Sequence, residues 1–104
     1  MSYYADDQER ARLIAGLRDL AEFLDQNPQV PAPRFADLLV FPSRDTDAEM
    51  FVEVDVIAEQ IGATASRNDT PDGHYIASRY FGPVEYRAVA IPQAARNDRS
   101  GEAE

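Results

Sequence analysis

The 104-residue chain has no cysteine, no lysine and no tryptophan, one histidine, and five glycines of which no two are adjacent. Each shortage removes a class of chemistry. Without cysteine there are no disulfides, no thiolate metal ligands and no cysteine nucleophile. With His74 alone, a multi-histidine metal site within one chain is excluded, as is a Ser-His triad built on any other residue. Isolated glycines leave no phosphate loop, dinucleotide fingerprint or nucleophile elbow. No apolar run approaches the ~18 residues of a membrane helix, and the opening Met1–Asp7 is acidic rather than basic, so neither a membrane span nor a secretory signal is expected.

Positive charge is also scarce. Ten Arg face nineteen Asp and Glu, a net charge of −9. The imbalance lies in residues 1–62, whereas residues 63–93 hold three basic and three acidic groups. A chain of this sign repels nucleic acid and anionic membrane, because both draw on a basic footprint. No direct nucleic-acid or membrane partner is therefore expected; a protein partner or a homodimer is.

What is present reads as one small α+β domain over residues 7–92, with a flexible N-terminus before it (1–6) and a frayed tail after it (93–104). Leu13, Leu17, Leu20 and Leu24 recur at intervals of four, three and four, with Ile14, Ala21 and Phe23 beside them, which predicts an amphipathic helix from Asp7 to Asp25. Asp6, Asp7 and Glu9 suit its N-terminus, and Asn27-Pro28 stops it. Gly16 within the stripe costs about 1 kcal/mol against Ala, which suggests a close neighbour. Three prolines between Pro28 and Pro33 make a stiff extended connector. The run from Phe35 to Phe41 predicts a strand buried on both faces and central in a sheet. Thr46 and Glu49 have capping-box spacing, Met50, Phe51, Val54, Ile57, Ala58 and Ile61 form a second helical stripe, and Gly62 ends it.

Three further strands are expected. The first is short and polar, over 63–68. The others, His74–Phe81 and Val84–Ile91, flank a tight Gly82-Pro83 turn. The order α-β-α-β-β-β gives a four-stranded mixed sheet with two helices packed on one face, its first two strands parallel.

If Phe81 pairs with Val84, strand alternation sorts the hairpin into two faces. Tyr75, Ala77, Arg79, Phe81, Val84, Tyr86, Ala88 and Ala90 share one, whose small alanines admit a helix; Arg79 would lie beside Tyr86. The opposite face carries His74, Ile76, Ser78, Tyr80, Glu85, Arg87, Val89 and Ile91. An apolar centre rimmed by Tyr and Arg has the anatomy of a protein interface, which makes Ile76, Tyr80, Glu85, Arg87, Val89 and Ile91 the candidate interaction residues. Cross-strand pairs Tyr80–Glu85 and Ser78–Arg87 would stabilise this face by themselves.

Other candidates weigh less. Asp45, Asp47, Glu49, Glu53 and Asp55 fail as a calcium loop, since the sixth and twelfth positions counted from Asp45 are Met50 and Val56 where Gly and Glu are required. His74 as a general base beside Glu85 or Tyr80 is the one enzymatic reading. No catalytic residue, cofactor or metal is expected otherwise.

The strings LRDLAEFLDQNPQVPAP (17–33) and HYIASRYFGPVEYRAVAIP (74–92) resemble a group of small uncharacterised proteins from actinobacteria and their phages. The similarity covers roughly residues 13–92 and rests on a helix ending in Asn-Pro, a Pro-rich connector and an Arg-Tyr-Phe-Gly hairpin. The resemblance implies a cytoplasmic bacterial or phage setting and no particular activity. The leading functional expectation is a non-enzymatic interaction or regulatory module that docks, or self-associates, through the outer hairpin face. A second is an acidic decoy for a basic nucleic-acid-binding protein, and a third a small enzyme centred on His74.

Overall fold

The computed structural model describes residues 4–42, 46–67 and 73–92. The tail expected from residue 93 onward lies outside them, as do residues 1–3, 43–45 and 68–72. The chain divides into two compact units, Met1–Arg34 and Phe35–Glu104. The boundary falls at the end of the Pro-rich connector.

The first unit is built on one helix, α1 (Asp7–Gln26). Asp6 and Glu9 close a reciprocal cap: the Asp6 carboxylate accepts from the Glu9 amide at 2.8 Å, and the Glu9 carboxylate accepts from the Asp6 amide at 3.0 Å. Two of the free amides of the first turn are thereby satisfied. At the other end the Asn27 side chain and backbone both donate to the Phe23 carbonyl. The Val30 amide donates to the Asn27 carbonyl, so the connector opens with a turn before it extends. No residue of α1 is buried.

The second unit holds β1 (Ala36–Val40), α2 (Asp47–Ile61), β2 (Ser66–Arg67), β3 (Tyr75–Phe81) and β4 (Val84–Ala90). With α1 they complete the expected order α-β-α-β-β-β and the expected four-stranded mixed sheet. Spatially the strands run β1-β4-β3-β2: β1 pairs parallel with β4, while β3 pairs antiparallel with both β4 and β2. β1 is thus an edge strand, not the central strand expected, and Leu39 within it is 48% exposed. β1 and β2 run in the same direction, but at opposite edges. The Ala36 amide donates to the Pro83 carbonyl, which ties the start of β1 to the hairpin turn.

Packing on the sheet is supplied by α2. The Thr46 hydroxyl accepts from the Glu49 amide at 3.1 Å and so caps its start. Gly62, at φ +69°, gives the left-handed residue that ends it. Met50, Val54 and Ala58 meet Ala77 and Ala90 of the sheet in the core, with Phe51, Ile61, Ala65 and Tyr75 packed around them. Of the two helices expected from sequence, α2 packs on the sheet, and α1, in the first unit, has no buried residue.

Candidate functional site

The hairpin has the expected register. Phe81 pairs with Val84 and each following pair steps outward to Tyr75 with Ala90. Gly82 takes φ +61°, the geometry the tight turn needs. Parity therefore places Ala77, Ala88 and Ala90 against α2, all essentially without exposure. Small side chains let the helix approach, and larger neighbours lock it. The Phe51 and Tyr75 rings lie 5.0 Å apart, and the Tyr75 hydroxyl donates to the Asp55 carboxylate. That bond, then burial and the Asp55 charge, raise the Tyr75 pKa above the ordinary phenol value, with Arg67 opposing. Arg79 is opposite Tyr86 in the register; its guanidinium sits 5.0 Å from the Phe81 ring and donates to the Ile61 carbonyl.

The other face of the hairpin is the candidate site. The six residues expected there differ sharply in exposure. Tyr80 is 65% exposed, Ile76, Arg87 and Ile91 are half-buried, and Glu85 and Val89 are buried. β4 lies between β1 and β3, so two of its outer side chains have neighbours on both flanks: Glu85 has Asp37 and Tyr80, and Arg87 has Leu39 and Ser78. This flanking shields Glu85, which is 4% exposed.

A buried carboxylate is tolerated only when paired. Arg87 supplies a two-point clamp, Nη2 to Oε1 at 2.8 Å and Nε to Oε2 at 3.0 Å. That clamp holds the Glu85 carboxyl below its usual range, and hydrogen bonds from Ser78 and Tyr80 add to it, against the opposing effect of desolvation. The expected pairs Tyr80–Glu85 and Ser78–Arg87 are thus present in register, and the stronger link runs along β4 from Glu85 to Arg87. A fixed Arg, an exposed Tyr and the exposed Leu39 make one surface with charge and apolar area side by side. Phe41, just beyond β1, is also exposed.

The sequence reading omits Leu39 because it places β1 centrally. Asp37 is the overlooked signal: a carboxylate in the middle of an apolar run fits an edge strand, where water reaches at least one side.

His74 does not join this cluster. It precedes β3, six residues from Tyr80, a separation of about 20 Å along an extended strand. The base-and-carboxylate constellation envisaged around it is therefore not assembled. Among the described residues, no group of three or more His, Cys, Asp or Glu side chains is placed to hold a metal ion, and no helix is long and apolar enough to cross a membrane. Comparison with protein-family models, with curated proteins and with solved structures finds no match to this chain.

Proposed function

We propose that the protein is a non-enzymatic, cytoplasmic interaction module that docks a protein partner on the outer face of its sheet. The observation that carries this reading is the Glu85–Arg87 clamp set beside exposed Tyr80 and Leu39. Clamping fixes the Arg87 rotamer before any partner arrives, so little side-chain entropy remains to be lost on binding. Tyr and Arg beside aliphatic surface are the residues that most often dominate binding energy. Ile76, Val89 and Ile91 act as the floor of this surface, with Leu39 and Tyr80 as its contact points.

The test uses residues whose removal leaves the core intact. Val89 and Ile91 are unsuitable, since a buried or half-buried carboxylate there would unfold the sheet. The Leu39→Asp, Tyr80→Ala double variant changes exposed positions only. Affinity capture from the native host should retain a partner on the parent protein and lose it on the variant, with both giving the same circular dichroism. Equal capture by parent and variant would remove the sheet face from the proposal.

A further inference from the structure

α1 is an amphipathic helix with its apolar side uncovered. Leu13, Ile14, Leu17, Leu20 and Phe23 are each 40–53% exposed, and Leu24 continues the same stripe. Gly16 sits within it, and a Cβ built there would meet nothing within 4 Å. Neither a tight contact nor a positive φ accounts for this glycine, although it weakens the helix by about 1 kcal/mol.

We propose that α1 packs antiparallel against α1 of a second copy of this chain. Spacings of four, three and four give the 3.5-residue average of a left-handed helix pair, with Leu13 and Leu20 in one core register and Leu17 and Leu24 in the other. Run antiparallel, Leu13 layers with Leu24 of the second copy and Leu17 with Leu20 of the second copy, so the two-fold axis falls between Arg18 and Asp19. The flanking positions then match in size. Gly16 comes within half a turn of Phe23 of the second copy, and Ile14 within half a turn of Ala21 of the second copy. The ring fills the space that the glycine leaves open.

Charge favours the same orientation. The stripe extends at its N-terminal end to Arg10, which the antiparallel pair brings level with the helix C-terminus of the second copy, where Asp25 lies and carbonyl groups carry partial negative charge. A parallel pair would set Arg10 against Arg10, Ile14 against Glu9, and Gly16 against Ala21, which joins like charges and leaves a void. Two 20-residue helices are about 30 Å long and bury on the order of 1,000 Å² in total, the lower limit of a specific interface, so the dimer is expected in the micromolar range.

The full chain serves for the test, by sedimentation across concentration. The parent should dimerise, and Leu17→Asp with Leu20→Asp should weaken the dimer at least about 100-fold. Gly16→Leu strengthens the helix itself, so it cannot act by unfolding α1; it should nevertheless weaken dimerisation about tenfold or more by colliding with Phe23. Exchanging the sizes, Gly16→Phe with Phe23→Gly, should restore association. Because the chain lacks cysteine, a single spin label at Arg12→Cys reads orientation cleanly. Paired labels should lie about 20 Å or more apart in the antiparallel dimer, against about 10–15 Å in a parallel one. A parent that stays monomeric at millimolar concentration overturns the proposal. So does a dimer that survives Leu17→Asp with Leu20→Asp but is lost with Leu39→Asp and Tyr80→Ala, and so does a short label distance.

Discussion

α1 and α2 carry the same kind of pattern and meet opposite fates. Both place Leu, Ile, Val, Phe or Met at three- and four-residue spacing, and both begin at a side-chain cap. Yet α2 buries Met50, Val54, Ile57 and Ala58, while α1 buries nothing. The difference lies in what each helix meets. The alanines of β3 and β4 offer α2 a flat, close surface, and among the described residues of its own unit α1 meets no strand. An amphipathic stripe therefore states that a helix needs cover; it does not state who provides it.

The sharpest way to break this comparison is to truncate matched side chains in the two helices. Met50→Ala should cost about 3 kcal/mol, because a side chain only 1% exposed leaves a cavity. Leu20→Ala in α1, measured well below any self-association concentration, should cost under about 0.5 kcal/mol. Urea unfolding followed by tyrosine fluorescence and circular dichroism measures both. Equal losses would mean that the α1 stripe is buried in solution.

Next in size is the clamp on the outer sheet face. Arg87→Met should cost about 2 kcal/mol at neutral pH, since Glu85 would remain buried without its cation; Arg87 keeps 35% of its side chain in water, which holds the figure below that of a sealed pair. The lowered Glu85 pKa also sets a sign. Its contribution is fully present above the usual carboxylate range and is lost as pH falls through the lower folded value. In Arg87→Met the desolvation penalty loses its main opponent, so the buried carboxylate is penalised most at neutral pH. Protonation relieves it, and the stability gap between parent and variant should narrow as pH falls. Urea midpoints from pH about 7 down to about 3 test this. Identical pH profiles would show that the clamp is not what holds the carboxylate ionised.

The smallest effect concerns the seam between α2 and the inner sheet face. Tyr75→Phe should cost about 1 kcal/mol by removing the hydrogen bond to Asp55. Because the folded pKa of Tyr75 is raised, its contribution is complete below the ordinary phenol value and disappears as pH rises through the higher folded one. The Phe variant should lack that part of the alkaline destabilisation, read from thermal midpoints on raising the pH through about 10. Variant and parent falling together would place the loss elsewhere.

Much of the second unit was readable in advance from particular residues. Gly82-Pro83 sets the turn, the turn sets the pairing of Phe81 with Val84, and alternation carries that choice to Ala77 and Ala88 facing inward and Tyr80 and Arg87 facing outward. Thr46 and Gly62 mark the ends of α2 because caps act through bonds a few residues long. The candidate site was legible only in part. Tyr80 and Arg87 follow from hairpin parity, whereas Leu39 depends on which strand neighbours β4, and the burial of Glu85 depends on having a strand on each side of it.

The amino-acid sequence alone determined the helices, their caps, the hairpin and its two faces, since each is decided by contacts within a turn or across one tight loop. Only the tertiary structure decided that β1 takes the edge beside β4, that Glu85 is shielded and clamped, and that α2 rather than α1 has its stripe buried. The physical reason is one of range. Hydrogen-bond caps and strand alternation are set by near neighbours, but strand order and helix burial are settled by competition among distant surfaces, and a periodic pattern is the same whichever surface wins.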